Sequence, residues 1–135
     1  CFIINKAISN KNEKININFK SNHTVGSNLR TKKNISHKYP QVNEIESINY
    51  ENLCKYIKDH NHSKLIIKID VEGHEFEVLK QLINSPIWKN VIEIFYEVDE
   101  RWLDPLKIEM LLKQAGFIDF QKIGNGFHYD VLASR

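Results

Sequence analysis

The sequence predicts an α/β protein, the C-terminal part of a doubly wound, mostly parallel sheet that ends in an antiparallel hairpin. Three observations carry that expectation. Residues 65–71 form an apolar, β-branched run of the kind buried on both faces of a parallel sheet. Strand-like and helix-like segments alternate after it, the pattern of a layered α/β domain. Near the end, Gly124-Asn125-Gly126 separates two strand-like runs, as a hairpin turn does.

Each element has its own signal. Residues 1–8 read as an apolar strand, closed by a turn at Asn10-Lys11-Asn12. Lys14–Lys20 alternates, with Ile15, Ile17 and Phe19 on one face, which fits a half-buried strand. Residues 21–40 are polar and basic with little pattern, and predict a long mobile loop. Residues 42–48 give a short strand. Asn49 is placed to cap a helix over 50–59, with Leu53, Tyr56 and Ile57 on its inner side. After the strand at 65–71, Phe76, Leu79, Leu82 and Ile83 recur at helical spacing, so a helix spans 75–84 and stops before Pro86. Residues 91–98 form the next buried strand. Asp104-Pro105 starts a helix with Pro at its first position, Ile108, Leu111, Leu112 and Ala115 line it, and Gly116 ends it. Residues 117–123 and 127–133 are the arms of the hairpin.

Composition narrows the function. The 135 residues suffice for one domain with a buried core. A hydrophobic fraction of 41% beside 27% charged residues is that of an ordinary globular chain, and a net charge of +2 demands neither nucleic acid nor membrane as partner. The basic stretch at 30–38 lacks the interleaved aromatics that would stack on bases. No apolar run approaches the ~20 residues of a membrane span, and no signal peptide is visible. Two cysteines, Cys1 and Cys54, are too few for a disulfide framework and fit a cytoplasmic setting.

The candidate chemistry lies where the strand at 65–71 turns into the following helix. Asp70 and Glu72 stand there, in the crevice at the carboxyl ends of strands where open α/β sheets bind ligands. Glu72 would share the face of Asp70 if extended geometry continued that far. The plainer role for both is to cap the helix and complement its dipole, and the functional reading is favoured more for Asp70 than for Glu72. Gly73 permits a positive φ or a close backbone approach. His74 is a candidate base or substrate contact, although a lone loop histidine is more often simply solvated. Glu75 and Glu77 fall in the first helical turn, where acidic residues are expected for dipole reasons alone. Lys68, among apolar neighbours, is placed to snorkel or to pair with an acid. Glu97 closes the strand at 91–98 and suits a substrate hydroxyl, an ion pair with Arg101 or a cap of the following turn. Trp102 follows as a candidate pocket wall, whereas Trp88, beside Pro86 and Ile87, reads as core. His23, His37, His60 and His62 lack partners at ligand spacing, so no metal site is expected.

The stretch KIDVEGHEFEVLKQL resembles the signature of the FkbM-type methyltransferases, enzymes that use S-adenosylmethionine and mostly methylate hydroxyl groups. The segments NKAISNKNEK, VGSNL and AGFIDFQKIGNGFHYDVLASR resemble further stretches of that family, in the same order, and together cover nearly the whole chain. His74 departs from the small residue usual at its position. The resemblance implies a Rossmann-like domain, S-adenosylmethionine as cofactor, and a small hydroxyl compound such as a sugar as acceptor. It implies Asp70, Glu72 and His74 as catalytic candidates, with Asp70 acting as base or orienting the hydroxyl. Ala7, Ile8 and Asp70 would flank the cofactor, and Glu97 and Trp102 the acceptor. The chain opens at Cys1 within an apolar run, so a partial domain is expected, with its first strands and Gly-rich cofactor turn upstream. No Gly-rich strand-to-helix loop is present in these residues. Two rival readings remain: a phosphodiester hydrolase holding Mg²⁺ on Asp70, Glu72 and Glu97, and a non-catalytic binding domain that keeps the fold.

Overall fold

A computed structural model describes residues 3–20, 23–28, 41–57 and 64–135. Along the chain the elements are β1 (Ala7–Ile8), β2 (Lys14–Lys20), β3 (His23–Asn28), β4 (Gln41–Ile48), α1 (Tyr50–Ile57), β5 (Leu65–Ile69), α2 (Glu75–Ile83), a 3₁₀ turn (Pro86–Asn90), β6 (Val91–Asp99), α3 (Pro105–Gln114), β7 (Asp119–Ile123) and β8 (His128–Ser134).

The strands form two four-stranded sheets, in the orders β1-β4-β2-β3 and β5-β6-β8-β7. This corrects the expectation of a mostly parallel, doubly wound sheet. Only β1 with β4 and β5 with β6 run parallel among the described residues. The pairs β2–β3, β2–β4, β6–β8 and β7–β8 are antiparallel. The physical reason is connectivity. A parallel neighbour needs a crossover, as α2 provides between β5 and β6, whereas β2–β3 and β7–β8 are successive strands that fold back directly.

Three boundaries differ from the sequence expectation. The first strand is paired only at Ala7 and Ile8, because the Lys6 N–H turns back to the Ile4 carbonyl at 3.0 Å and breaks the extended run. His23–Asn28 is a strand, where the sequence suggested loop. Its partner β2 supplies the ladder, and backbone pairing does not require an alternating apolar pattern. The other residues of 21–40 lie outside the described residues, as do Cys1, Phe2 and 58–63. Finally, β5 stops at Ile69 rather than Val71, because Glu72 and Gly73 both take positive φ, 51° and 92°.

The core sits on the second sheet. Leu79, Val91, Ile94, Val98, Ile108 and Leu112 are fully buried. The stripe Val78, Leu79 and Leu82 turns α2 inward, and Ile108 and Leu112 do the same for α3. Asp104 caps α3, its carboxylate accepting the Leu106 N–H at 3.1 Å, with Pro105 behind it as expected. Trp88 is core: its ring lies 5.4 Å from that of Phe117, and its Nε1 donates to the Ala115 carbonyl at 3.3 Å. The Arg135 guanidinium covers both rings. These contacts tie the last residue of the chain to the end of α3 and hold β8 beside β6.

Candidate active site

The parallel pair β5–β6 fixes the level of every residue at the sheet's carboxyl edge. Ile69 pairs with Tyr96, so Asp70 and Glu97 follow at the same height on adjacent strands. Asp70 lies one residue beyond β5 and is half exposed, with Lys68 Nζ 3.3 Å from its carboxylate. Lys68 therefore pairs with an acid, as one reading of the sequence had it. So exposed a pair contributes little to stability.

Next comes a tight turn. A left-handed Glu72 costs about 1–2 kcal/mol relative to an ordinary conformation, while Gly73 takes the same region freely. The reversal ends extended geometry before Glu72, so Asp70 and Glu72 are not successive members of one strand face, contrary to the sequence expectation. Glu75 closes the turn from inside: its Oε1 accepts the Gly73 N–H at 3.0 Å. Glu75 does occupy the first turn of α2, yet it is only 2% exposed, and its Oε2 has no partner among the described residues. Burial pushes its carboxyl above the ordinary range. The backbone N–H donors of the turn oppose that shift, and the Glu97 carboxylate adds to it. The sequence held a signal for this burial. Glu75, Val78, Leu79 and Leu82 follow the i, i+3, i+4, i+7 stripe, which places the carboxylate on the inner face of α2.

His74 is the N-cap residue of α2 but makes no capping bond through its side chain. The imidazole is partly buried, and its Nε2 lacks a partner among the described residues. Burial lowers its pKa, and Glu77 and Glu75 resist that shift. It is thus held mainly neutral, unlike the solvated loop histidine that was its plainer reading. A cavity of about 660 Å³ opens beside it between β1 and β5. Ala7, Ile8, Asp70 and His74 all line this cavity, together with Ile67 and Val78. Four residues singled out in the sequence, from two stretches some sixty positions apart, therefore line one space.

Glu97 and Trp102 do not line that cavity. Glu97 lies within β6, which runs on to Asp99, rather than at its end. Its Oε1 lies 2.6 Å from His128 Nε2 on β8. The expected alternative, an ion pair with Arg101, is corrected: Arg101 instead forks onto Asp99, with Nε at 2.8 Å from Oδ1 and Nη2 at 2.6 Å from Oδ2. Strand register explains both. Glu97 faces Asp130 across the β6–β8 ladder, so His128 is its diagonal neighbour on the same face. Hydrogen bonding to Glu97 raises the His128 pKa, and Asp99 adds to that effect. Trp102 is about half exposed just beyond, its N–H bonded to the Asp99 carbonyl. His128 was missed because its partner becomes visible only once the hairpin register is known. The influence of Glu97 on Glu75 links this second cluster to the turn.

The described residues contain no group of three or more His, Cys, Asp or Glu side chains disposed to hold a metal ion. They also contain no helix long and apolar enough to cross a membrane. Of the two cysteines, Cys54 is buried on α1, and Cys1 lies outside the described residues.

No curated protein and no solved structure matches the chain. The family model of the methyltransferase FkbM domain does, over residues 3–118, a stretch that contains β1, the Glu72–Gly73 turn and Glu97 but stops before β8 and His128. The chain therefore belongs to the FkbM methyltransferase family.

Proposed function

We propose that this domain transfers a methyl group from S-adenosylmethionine to a hydroxyl of a small molecule, with a sugar as the leading acceptor class. One observation carries the reading: Ala7, Ile8, Asp70 and His74 line a single cavity that runs beside β5. The cavity suits the cofactor. Its volume falls in the usual range for ligand sites, its walls are mainly apolar, and a partnerless His74 Nε2 lies beside it. Ala7 and Ile8 would flank the adenosyl part, and Asp70 would hold a polar end. Bound S-adenosylmethionine supplies a methyl group on an activated sulfonium leaving group.

The chain's own residues then have two tasks, alignment and proton removal. Asp70 is half exposed at the cavity mouth, where its carboxylate can accept the acceptor's hydroxyl proton or fix its direction. The neutral His74 imidazole is a second acceptor for that proton. The Glu72–Gly73 turn, closed by Glu75, sets the spacing between the two. Glu97 and Trp102 would contact the acceptor, the exposed Trp102 offering an aromatic face to an apolar sugar surface.

The reading is tested by incubating the full-length protein with S-adenosylmethionine labelled in its methyl group and a panel of free and nucleotide-linked sugars, with and without EDTA. Label recovered in an ether-linked product, insensitive to EDTA, is the expected result. Activity lost in EDTA and restored by Mg²⁺ would overturn the metal-free assignment. Label recovered only on nitrogen or carbon would overturn the hydroxyl acceptor.

A further inference from the structure

We propose that His128 is a positioning residue of the acceptor site. From β8 it holds one oxygen of Glu97, so that the other is presented to a hydroxyl beside the one that receives the methyl group. The acceptor is then a diol, as the adjacent hydroxyls of a sugar are. This inference rests on the methyl-transfer reading and adds to it one residue and one requirement on the substrate.

The ladder puts the groups concerned on one face. Opposed residues of paired strands share a face, and so do residues two apart along one strand. Lys68 opposes Phe95 on β6, Glu97 opposes Asp130 on β8, and Asp99 opposes His128. The ion pair from Lys68 Nζ to the Asp70 carboxylate, at 3.3 Å, keeps Asp70 on the face of Lys68 just past the end of β5. Asp70, Glu97 and His128 therefore follow one another across β5, β6 and β8, with Glu97 in the middle. Neighbouring strands lie about 4.8 Å apart. Glu97 thus stands one strand away from Asp70, which lines the cavity. A molecule that offers one hydroxyl to Asp70 can reach Glu97 with the next.

The surroundings of His128 leave Glu97 as its partner. Asp99, directly opposite, has both carboxylate oxygens engaged by Arg101, Nε on Oδ1 at 2.8 Å and Nη2 on Oδ2 at 2.6 Å. The imidazole donates instead from Nε2 to Oε1 of Glu97 at 2.6 Å. That bond raises the His128 pKa and so favours the ring with both nitrogens protonated, a donor only. The start of β8 is itself fixed to the end of β6, since the Phe127 carbonyl accepts the Glu100 N–H at 2.8 Å. His128 engages Oε1 alone, and the Glu97 side chain remains 20% exposed, so its carboxylate is not sealed off. A free glutamate loses several rotatable bonds when it binds a hydroxyl. One already held at Oε1 has lost that freedom before the acceptor arrives, and binds more tightly for it. His128 lies beyond the residues 3–118 that the family model matches, so its role follows from the geometry of this chain.

The test compares wild type, His128→Ala and His128→Gln, using methyl-labelled S-adenosylmethionine and a panel of free sugars with their mono-deoxy analogues. Gln offers Glu97 a neutral N–H donor at a similar reach. For the sugar turned over fastest, His128→Ala should raise the acceptor KM about 10-fold, the worth of one hydrogen bond, with kcat and S-adenosylmethionine affinity changed by less than about 2-fold. His128→Gln should recover most of the loss. Removing the hydroxyl beside the methylated one should cost wild type about 10-fold in KM and His128→Ala little more. The NMR signal of the His128 imidazole should also move when the same sugars are titrated in, whether or not they react. An unchanged acceptor KM in His128→Ala, or a deoxy analogue that wild type uses as well as its parent, would overturn the proposal while methyl transfer stands. If no sugar is methylated, the methyl-transfer reading to sugars fails, and the imidazole signal decides separately. A signal that moves then supports the Glu97–His128 contact with the sugar, and one that stays unmoved overturns the proposal as well.

Discussion

At the residue scale, Asp70 and Glu75 illustrate opposite uses of a carboxylate separated by one turn. Asp70 is half exposed, pairs with Lys68, and lines the cavity. If Asp70 acts as proposed, Asp70→Asn should lower methyl-transfer turnover by about 10²–10⁴-fold, the usual worth of general acid–base catalysis. Cofactor affinity and melting temperature should change little, because the amide fills the same space. Near wild-type methyl transfer by this variant would remove Asp70 from the chemistry and point to His74. Glu75, by contrast, is buried with its carboxyl pKa raised by desolvation. Its ionised form is therefore favoured more in the unfolded chain than in the folded one. Stability is greatest below the unfolded pKa and falls as pH rises through the folded one. Glu75→Gln keeps an acceptor for the Gly73 N–H and abolishes the titration. Thermal melts from pH 4 to 8 should show the variant losing less stability with rising pH than the wild type does. A steeper loss in the variant would mean that Glu75 is stabilised in its charged form. Glu75→Ala should cost about 1–3 kcal/mol at low pH, where the wild-type carboxyl is protonated, since it strands that N–H, and less as pH rises.

At the element scale, the Glu72–Gly73 turn and the β6–β8 ladder set where the chemistry can occur. Gly73 has a φ of 92°. Gly73→Ala should destabilise the fold by about 1–2 kcal/mol in urea titrations, because a Cβ opposes that backbone conformation. In the ladder, the His128 imidazole takes its raised pKa first from its hydrogen bond to Glu97. In Glu97→Gln the NMR-monitored His128 titration should drop toward the unperturbed value of about 6.5. An unchanged midpoint would show that Asp99 rather than Glu97 holds the proton. The pair stabilises the fold fully below the unfolded His pKa, and that contribution is lost as pH rises through the folded one. How much of this was legible depended on range. β2, α3 and the terminal hairpin were readable because alternation, the Asp-Pro start and Gly-Asn-Gly are local signals. The two-sheet topology was not, since strand partners are chosen by connectivity and not by side-chain pattern. Asp70 and His74 were legible from their place after an apolar run. His128 was not, because only the register of β8 against β6 brings it to Glu97.

At the scale of the whole molecule, the site depends on how two sheets are held together. β1 brings Ala7 and Ile8 to the cavity from one sheet, and β5 brings Asp70 from the other. α2 carries His74 along the same space. The distance between Ala7 or Ile8 and Asp70 is therefore a property of sheet-to-sheet placement, and nothing in β1 or β5 alone fixes it. If Ala7 and Ile8 flank the adenosyl part, as proposed, Ile8→Asp should weaken S-adenosylmethionine binding in calorimetric titration at least about 10-fold, a difference of about 1.4 kcal/mol, with thermal melts confirming that the variant still folds. Unchanged affinity in a folded variant would show that β1 does not contribute to the cofactor site.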